Sequence, residues 1–210
     1  RTDPRSYRPL ALPPSFLNGE IIVSNKLLTI YEAWNLALAA CRTPLVMNLN
    51  LDDRLNTNAI EIMEQEIIDN KCDLVGGDWK VCYSQEETDA VSECYAAEST
   101  TYSSSWPPIE GTPTRLGSGT GERGTYGPAT MWQLSAHIGF PRYPYRTTDG
   151  YHIRSVSDSI WWDILKSHLK RKLLRLPLII GNYYSHPNSQ AEFRVSNEWE
   201  LLNNKSIELY

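Results

Sequence analysis

Positive charge, paired cysteines and long apolar runs are all scarce in this chain, and each scarcity argues against a class of function. The 210 residues carry 20 Lys and Arg against 25 Asp and Glu, a formal net charge of −5. Without a basic excess to meet phosphates, no nucleic-acid partner is expected. Cysteine is limited to Cys41, Cys72, Cys82 and Cys94, with no C-x-x-C pair among the four. That pattern argues against a zinc ribbon or a disulfide framework and reads as reduced, mostly buried thiols of an intracellular protein. No apolar run approaches the roughly 20 residues that cross a bilayer, and no signal peptide is visible. The localisation read from this is cytoplasmic, and any membrane association would run through a region missing from the sequence. Internal repeats are absent too. Gly119 to Gly124 matches G-x-G-x-x-G in letters, but it follows no strand and opens no helix, so it is not read as a dinucleotide loop.

What is present is an ordinary globular composition, 41% hydrophobic and 21% charged, enough for one core and one domain over residues 1–210. Residues 1–18, proline- and arginine-rich at their start, read as an extended arm. Gly19 to Val23 is a short β-branched strand candidate. Thr29-Ile30-Tyr31-Glu32 is a capping box, and Ile30, Ala33, Trp34, Ala37, Leu38 and Cys41 follow it at helical spacing. A second box, Asn58 to Glu61, opens a helix with Ile60, Met63, Ile67 and Ile68 inward. Leu74 to Tyr83 reads as a strand in which Gly76-Gly77 marks a bulge or close backbone approach. Residues 98–128, rich in Ser, Thr, Gly and Pro, read as a flexible loop over an active site. Met131 to Ile138 is a short helix candidate. Ser155 to Asp158 caps what is expected to be the longest helix, with Ile160, Trp161, Ile164, Leu165, His168 and Leu169 inside. Leu176 to Ile180 is a strand whose Pro177 places its first residues at an edge. Ser189 to Glu192 opens a last helix reaching about Leu202. Strands alternating with helices predict an α/β fold with a mostly parallel, Rossmann-like open sheet and helices on both faces.

The chemistry centres on Pro44 to Arg54. Leu45-Val46-Met47 is a buried strand that ends at Asp52 and Asp53, followed by Arg54. Ligands of open α/β sheets bind outside the strands' carboxyl ends. Two adjacent carboxylates there repel one another unless a cation lies between them, and Mg²⁺ or Mn²⁺ with oxygen ligands suits such a site. The other reading, two turn residues, stays open.

Taken with Tyr31-Glu32-Ala33-Trp34-Asn35, Asn48 to Arg54 and Gly77-Asp78, the chain resembles inverting family-2 glycosyltransferases of the type-A fold. Gly127-Pro128-Ala129-Thr130-Met131-Trp132 is similar to the family's G-P-x-x-M-W segment. Asp158 with Trp161-Trp162 resembles its late acidic motif, although Ser157 stands where a second acidic residue is usual. The resemblance spans Ile21 to about Arg194. The family's first βα unit, which cups the base, has no counterpart ahead of Ile21, and with Arg1 as first residue the chain reads as an N-terminally truncated fragment.

The resemblance implies transfer of a sugar from a nucleotide diphosphate sugar, a UDP-sugar foremost, to the hydroxyl of a glycan or lipid-linked saccharide, as in polysaccharide biosynthesis. It implies Asp53 and Asp52 as ligands of Mn²⁺ or Mg²⁺, with Asp52 alternatively on the ribose. His186 is a candidate third ligand, against the commoner reading of a loop histidine before Pro187. Arg54 would meet a phosphate or fix the carboxylates, or be a surface arginine. Asp78 would contact sugar or acceptor, or make a structural hydrogen bond. Trp132 and Trp162 would stack on a sugar ring. Single-step attack needs a base for the acceptor hydroxyl, and Asp158 is the candidate, with Asp149 behind it; the alternative for Asp158 is a helix cap. The competing functional reading is an inactive nucleotide-sugar or glycan-binding module. A nucleotidyltransferase would show a glycine-rich basic loop at its first strand, which this chain lacks.

Overall fold

The computed structural model describes residues 19, 22–96, 113–114, 130–137, 142–165, 169, 171–184 and 198–208. The arm, most of the 98–128 loop, the start of the last helix and His186 lie outside them.

Helix α1 spans Ile30–Ala40 and starts as the sequence predicts. The Thr29 hydroxyl accepts the Glu32 N–H at 3.3 Å, while the Glu32 carboxylate accepts the Thr29 N–H at 2.8 Å. Its inward stripe is displaced from the expected one. Tyr31 is buried, Trp34 and Leu38 pack partly against the core, and Ile30 is exposed. In α2, Ala59–Asn70, the buried residues are Ala59, Met63 and Ile67, and Ile60 and Ile68 face outward. Asn58 does not cap this helix with its side chain. Its amide oxygen instead accepts the Cys94 N–H at 2.8 Å, so the second capping box is not formed. Of the strand expected at Gly19 to Val23, the described residues Gly19, Ile22 and Val23 are in no strand, and all three are exposed.

The strands are β1 (Leu45–Met47), β2 (Arg54–Leu55), β3 (Leu74–Cys82), β4 (Pro113–Thr114), β5 (Met131–Gln133) and β6 (Leu173–Tyr184). They form one sheet in the order β1-β5-β3-β6-β2, with β4 paired to β3. Only β3 and β6 pair in parallel; the other pairings are antiparallel. The fold is therefore mixed α/β with a mostly antiparallel sheet, not the mostly parallel one expected. Two segments account for the difference. Residues 131–133, read from sequence as helix, form a strand wedged antiparallel between β1 and β3, and a 3-10 turn at Leu134–His137 follows. Met131 and Trp132 point into opposite cores, a period of two that a run this short does not reveal. The other segment is β2, which starts immediately after the Asp pair and runs back along β6. Within the expected loop, Pro113 and Thr114 pair with β3.

Helices do cover both faces. Tyr31 of α1 joins Val46, Leu74 and Trp132 in one core, together with Ile160, Trp161 and Ile164. Ala59, Met63 and Ile67 of α2 join Val75, Trp79, Met131 and Ile180 in the other. Neighbours Leu74 and Val75 divide between the two cores, as a strand covered on both sides requires. After the short α3 at Gln85–Asp89, helix α4 covers only Ser157–Asp163 before its turns widen, so α2 is the longest described helix.

The seam between β3 and β6 follows its glycine and proline. A Cβ on Gly77 would lie 2.5 Å from Ile180 Cγ2 and 2.9 Å from the Leu178 carbonyl oxygen, so only glycine admits this approach. The register slips between Gly76 and Asp78, where Arg175 is followed by Ile179 as the next partner. Pro177 lies in the slip, where no ladder hydrogen bond is required of it.

Candidate functional site

Strands β1, β3 and β6 point the same way, since β1 and β3 both oppose β5 and β6 parallels β3. Met47 ends β1 abreast of Val75 near the start of β3, whereas β3 and β6 end side by side at Cys82 and Tyr184. The segment Asn48 to Asp53, leaving β1, runs on to that β3–β6 rim, where Asp53 meets Tyr184, before turning back as β2.

Asp53 is buried within this segment. Its Oδ1 accepts the N–H of Tyr184 at the end of β6, at 3.0 Å, and its Oδ2 accepts the Asn50 side-chain amide at 3.0 Å. Burial pushes its carboxyl up to about 7; the Tyr184 N–H pulls against the rise and the Asp52 carboxylate adds to it. Asp52 itself is exposed. Arg54 donates to the carbonyls of Leu51 and Asp53 and pairs through Nε with Asp89 at 2.8 Å, so its guanidinium braces the turn. A buried carboxyl held up by a neighbouring carboxylate gains most from a cation. Asp53 and Asp52 are the adjacent carboxylates of this segment that a hard divalent ion could meet, and both Asp53 oxygens already accept hydrogen bonds, from Tyr184 and Asn50. Among the described residues no group of three or more His, Cys, Asp or Glu could hold a metal, so a third ligand has no described source.

Asp158 enters from the other side. Its helix is capped at Val156 without a side-chain bond, so the Ser155–Asp158 capping box is not formed. The Asp158 Oδ1 accepts the Tyr31 hydroxyl at 3.2 Å and the Ser159 N–H at 2.9 Å. Burial pushes its carboxyl up to about 6, opposed by the Ser159 N–H and the Tyr31 hydroxyl. Tyr31 lies beside Tyr143, ring centroids 6.1 Å apart, and the Tyr143 hydroxyl accepts the Asn48 amide at 3.2 Å. A chain of contacts thus runs from Asp158 through Tyr31, Tyr143 and Asn48 into the segment that carries Asp53. Asn35 fixes Tyr143 from α1 by a two-way bond, its amide donating to the Tyr143 carbonyl at 2.9 Å and accepting the Tyr143 N–H at 2.8 Å.

The other expected site residues lie elsewhere. Asp78 is fully buried in β3, and its carboxylate takes a two-pronged ion pair from Arg175, with Nε at 3.0 Å from Oδ1 and Nη2 on Oδ2. This corrects the sugar-contact reading, because the group faces the β3–β6 seam rather than the rim. Trp132 is 1% exposed and donates its indole N–H to His137 Nε2 at 2.9 Å, so it is a core residue and not a sugar platform. Asp149 sits in an exposed turn, bonded to Thr147 and ion-paired with Lys205, whose ammonium above all holds its carboxyl down at about 2. So low a carboxyl is a poor base. The Trp162 side chain and His186 lie outside the described residues.

Sequence reasoning missed Glu198, Tyr143 and the roles of Asn48 and Asn35. Asn48 and Asn50 at a strand's polar end carry a weak local signal. Glu198 carries none, since its partners lie more than forty positions away. No protein-family model matches the chain, and neither does any curated protein.

Proposed function

We propose that the chain is a metal-dependent inverting glycosyltransferase, moving a sugar from a nucleotide diphosphate donor to the hydroxyl of a glycan or lipid-linked acceptor. One observation carries the reading: the way Asp158 is held. Among the described residues both hydrogen bonds from other residues land on Oδ1, and Oδ2 is the oxygen that would accept a substrate proton. A carboxyl pushed up to about 6 is ionised at neutral pH yet more basic than an ordinary aspartate, as a general base requires. The resemblance of Asn48 to Arg54 to the family's N-x-D-D-R strand end supports the same reading. On this proposal the mixed sheet is a variant of the type-A layout, with the donor at the rim where β3 and β6 end and the Asn48–Asp53 segment arrives. Asp53 and Asp52 would hold Mn²⁺ or Mg²⁺, which when bound neutralises charge on the departing diphosphate. Tyr31 orients the base, and Asn50 and the Tyr184 N–H orient Asp53.

Donor turnover in the presence of Mn²⁺ tests this with wild type, Asp158→Asn and Asp53→Asn. Loss of the base should lower kcat by about a hundredfold or more. Equal rates for wild type and Asp158→Asn would end its role as base. The second reading, an inactive nucleotide-sugar or glycan-binding module, draws on Asp53, whose two oxygens both have partners inside the fold. Saturable UDP binding without turnover across a broad acceptor panel would favour it.

A further inference from the structure

Glu198 is a buried carboxylate that the scheme above does not use. It lies in the last helix, described over 198–202, and reaches across to the chain entering α4. Oε1 accepts the Arg154 N–H at 2.8 Å and the Tyr151 hydroxyl at 3.1 Å, and Oε2 accepts the Ser155 N–H at 2.5 Å. Two successive backbone N–H groups on one carboxylate leave the strand of chain between them little freedom to rotate. Ile153 and Val156, on either side, are buried in the core and remove what freedom remains. Three residues after Ser155 comes Asp158, whose Oδ1 is tied to Tyr31 from α1.

We propose that Glu198 is the positioning residue of this site, clamping Arg154 and Ser155 so that α4 presents Asp158 with Oδ1 on Tyr31 and Oδ2 outward. The assignment of Asp158 as base rests on the transferase reading; the clamp itself does not. Among the described residues, the ionisable groups facing Asp158 are Tyr31 from α1, Tyr143 from the chain ahead of α4, and Glu198, a negative neighbour that adds to the rise of its carboxyl. Glu198→Gln keeps the shape of the side chain. It removes that charge, and its amide can offer an acceptor to only one of the two N–H groups.

In the wild-type chain, hydrogen exchange should find the Arg154 and Ser155 amides protected as well as those of α4; rapid exchange at both would overturn the clamp without any variant. In Glu198→Gln, the two amides should exchange at least about tenfold faster, and the Asp158 titration followed by carboxyl carbon NMR should move down. The acidic limb of the kcat profile should move down with it, while kcat falls by about a hundredfold for a misplacement near 1 Å, with KM for the donor little changed. A folded Glu198→Gln chain with unchanged exchange and unchanged Asp158 titration refutes the proposal. Wild-type chain that turns over no donor would instead remove the transferase reading, and exchange and titration would still decide the clamp.

Discussion

Asp158 shows how one side chain can set a pH dependence that the rest of the molecule must absorb. Its folded-state carboxyl stands at about 6, above the ordinary aspartate value of 3.8 that it regains on unfolding. Between those values the folded chain binds more protons than the unfolded one, so stability falls as pH rises through the window and is lowest above it. The shift corresponds to a loss on the order of 2 kcal/mol between pH 4 and pH 7. Asp158→Asn removes the ionisation and keeps an acceptor for the Tyr31 hydroxyl. It should make the fall of stability between pH 4 and 7 shallower in denaturant titrations, raising stability at pH 7, while the remaining fall comes from Asp53, whose carboxyl is pushed up to about 7. A variant with the same slope as wild type would show that another group carries the effect. On the proposed function, stability and activity would oppose one another here, because the desolvation that would make this carboxyl a better base also disfavours its charge.

At the scale of elements, the β3–β6 pairing depends on a position without a side chain. Gly77→Ala would set a methyl group 2.5 Å from Ile180 Cγ2 and 2.9 Å from a backbone carbonyl that cannot rotate away. A destabilisation of about 1–3 kcal/mol is expected, typical of overpacking. Gly150→Ala is the control. Its φ of +88° strains any side chain, but nothing lies within 4 Å, so about 1 kcal/mol is expected from the backbone alone. Urea midpoints for the two variants would check the order, and equal losses would mean that Ile180 yields easily. The Gly76-Gly77 bulge was legible in the sequence because it follows from glycine's own backbone chemistry, whereas Pro177, read as an edge residue, lies in the matching slip of a strand that has neighbours on both sides. The capping box of α1 was legible for the same reason as the bulge. The strand at Met131–Gln133 was not, because three residues cannot display a period and their pairing with β1 and β3 is decided by distant chain. Parallel direction failed with it, since one unseen antiparallel strand reverses every neighbour relation around it. In the site, Asp53 and Asp158 were legible as carboxylates at element ends. Asp78 was misread, because the Arg175 that claims it lies 97 positions away. Glu198 escaped notice for the same reason.

For the whole molecule, the Asp78–Arg175 pair lies where the two cores meet. Its carboxylate is wholly buried and its guanidinium side chain 20% exposed, on adjacent central strands that serve both faces of the sheet. Taking both charges out of water costs about as much as their attraction returns, so the pair adds little net stability over a well-packed apolar pair. Removing one partner is different, because a wholly buried carboxylate then loses its two-pronged ion pair while its desolvation remains. Arg175→Met should cost about 3–5 kcal/mol. Leu74 and Val75 of the same strand pack into opposite cores. The loss should therefore reach both together, and amide exchange in α1 and α2 should accelerate by similar factors. The double variant Asp78→Leu with Arg175→Met should recover most of the stability, because no isolated charge remains. If exchange rises in α2 alone, the sheet does not couple the two faces. If the double variant is as unstable as Arg175→Met, the pair's further contacts, and not its charge balance, hold the seam.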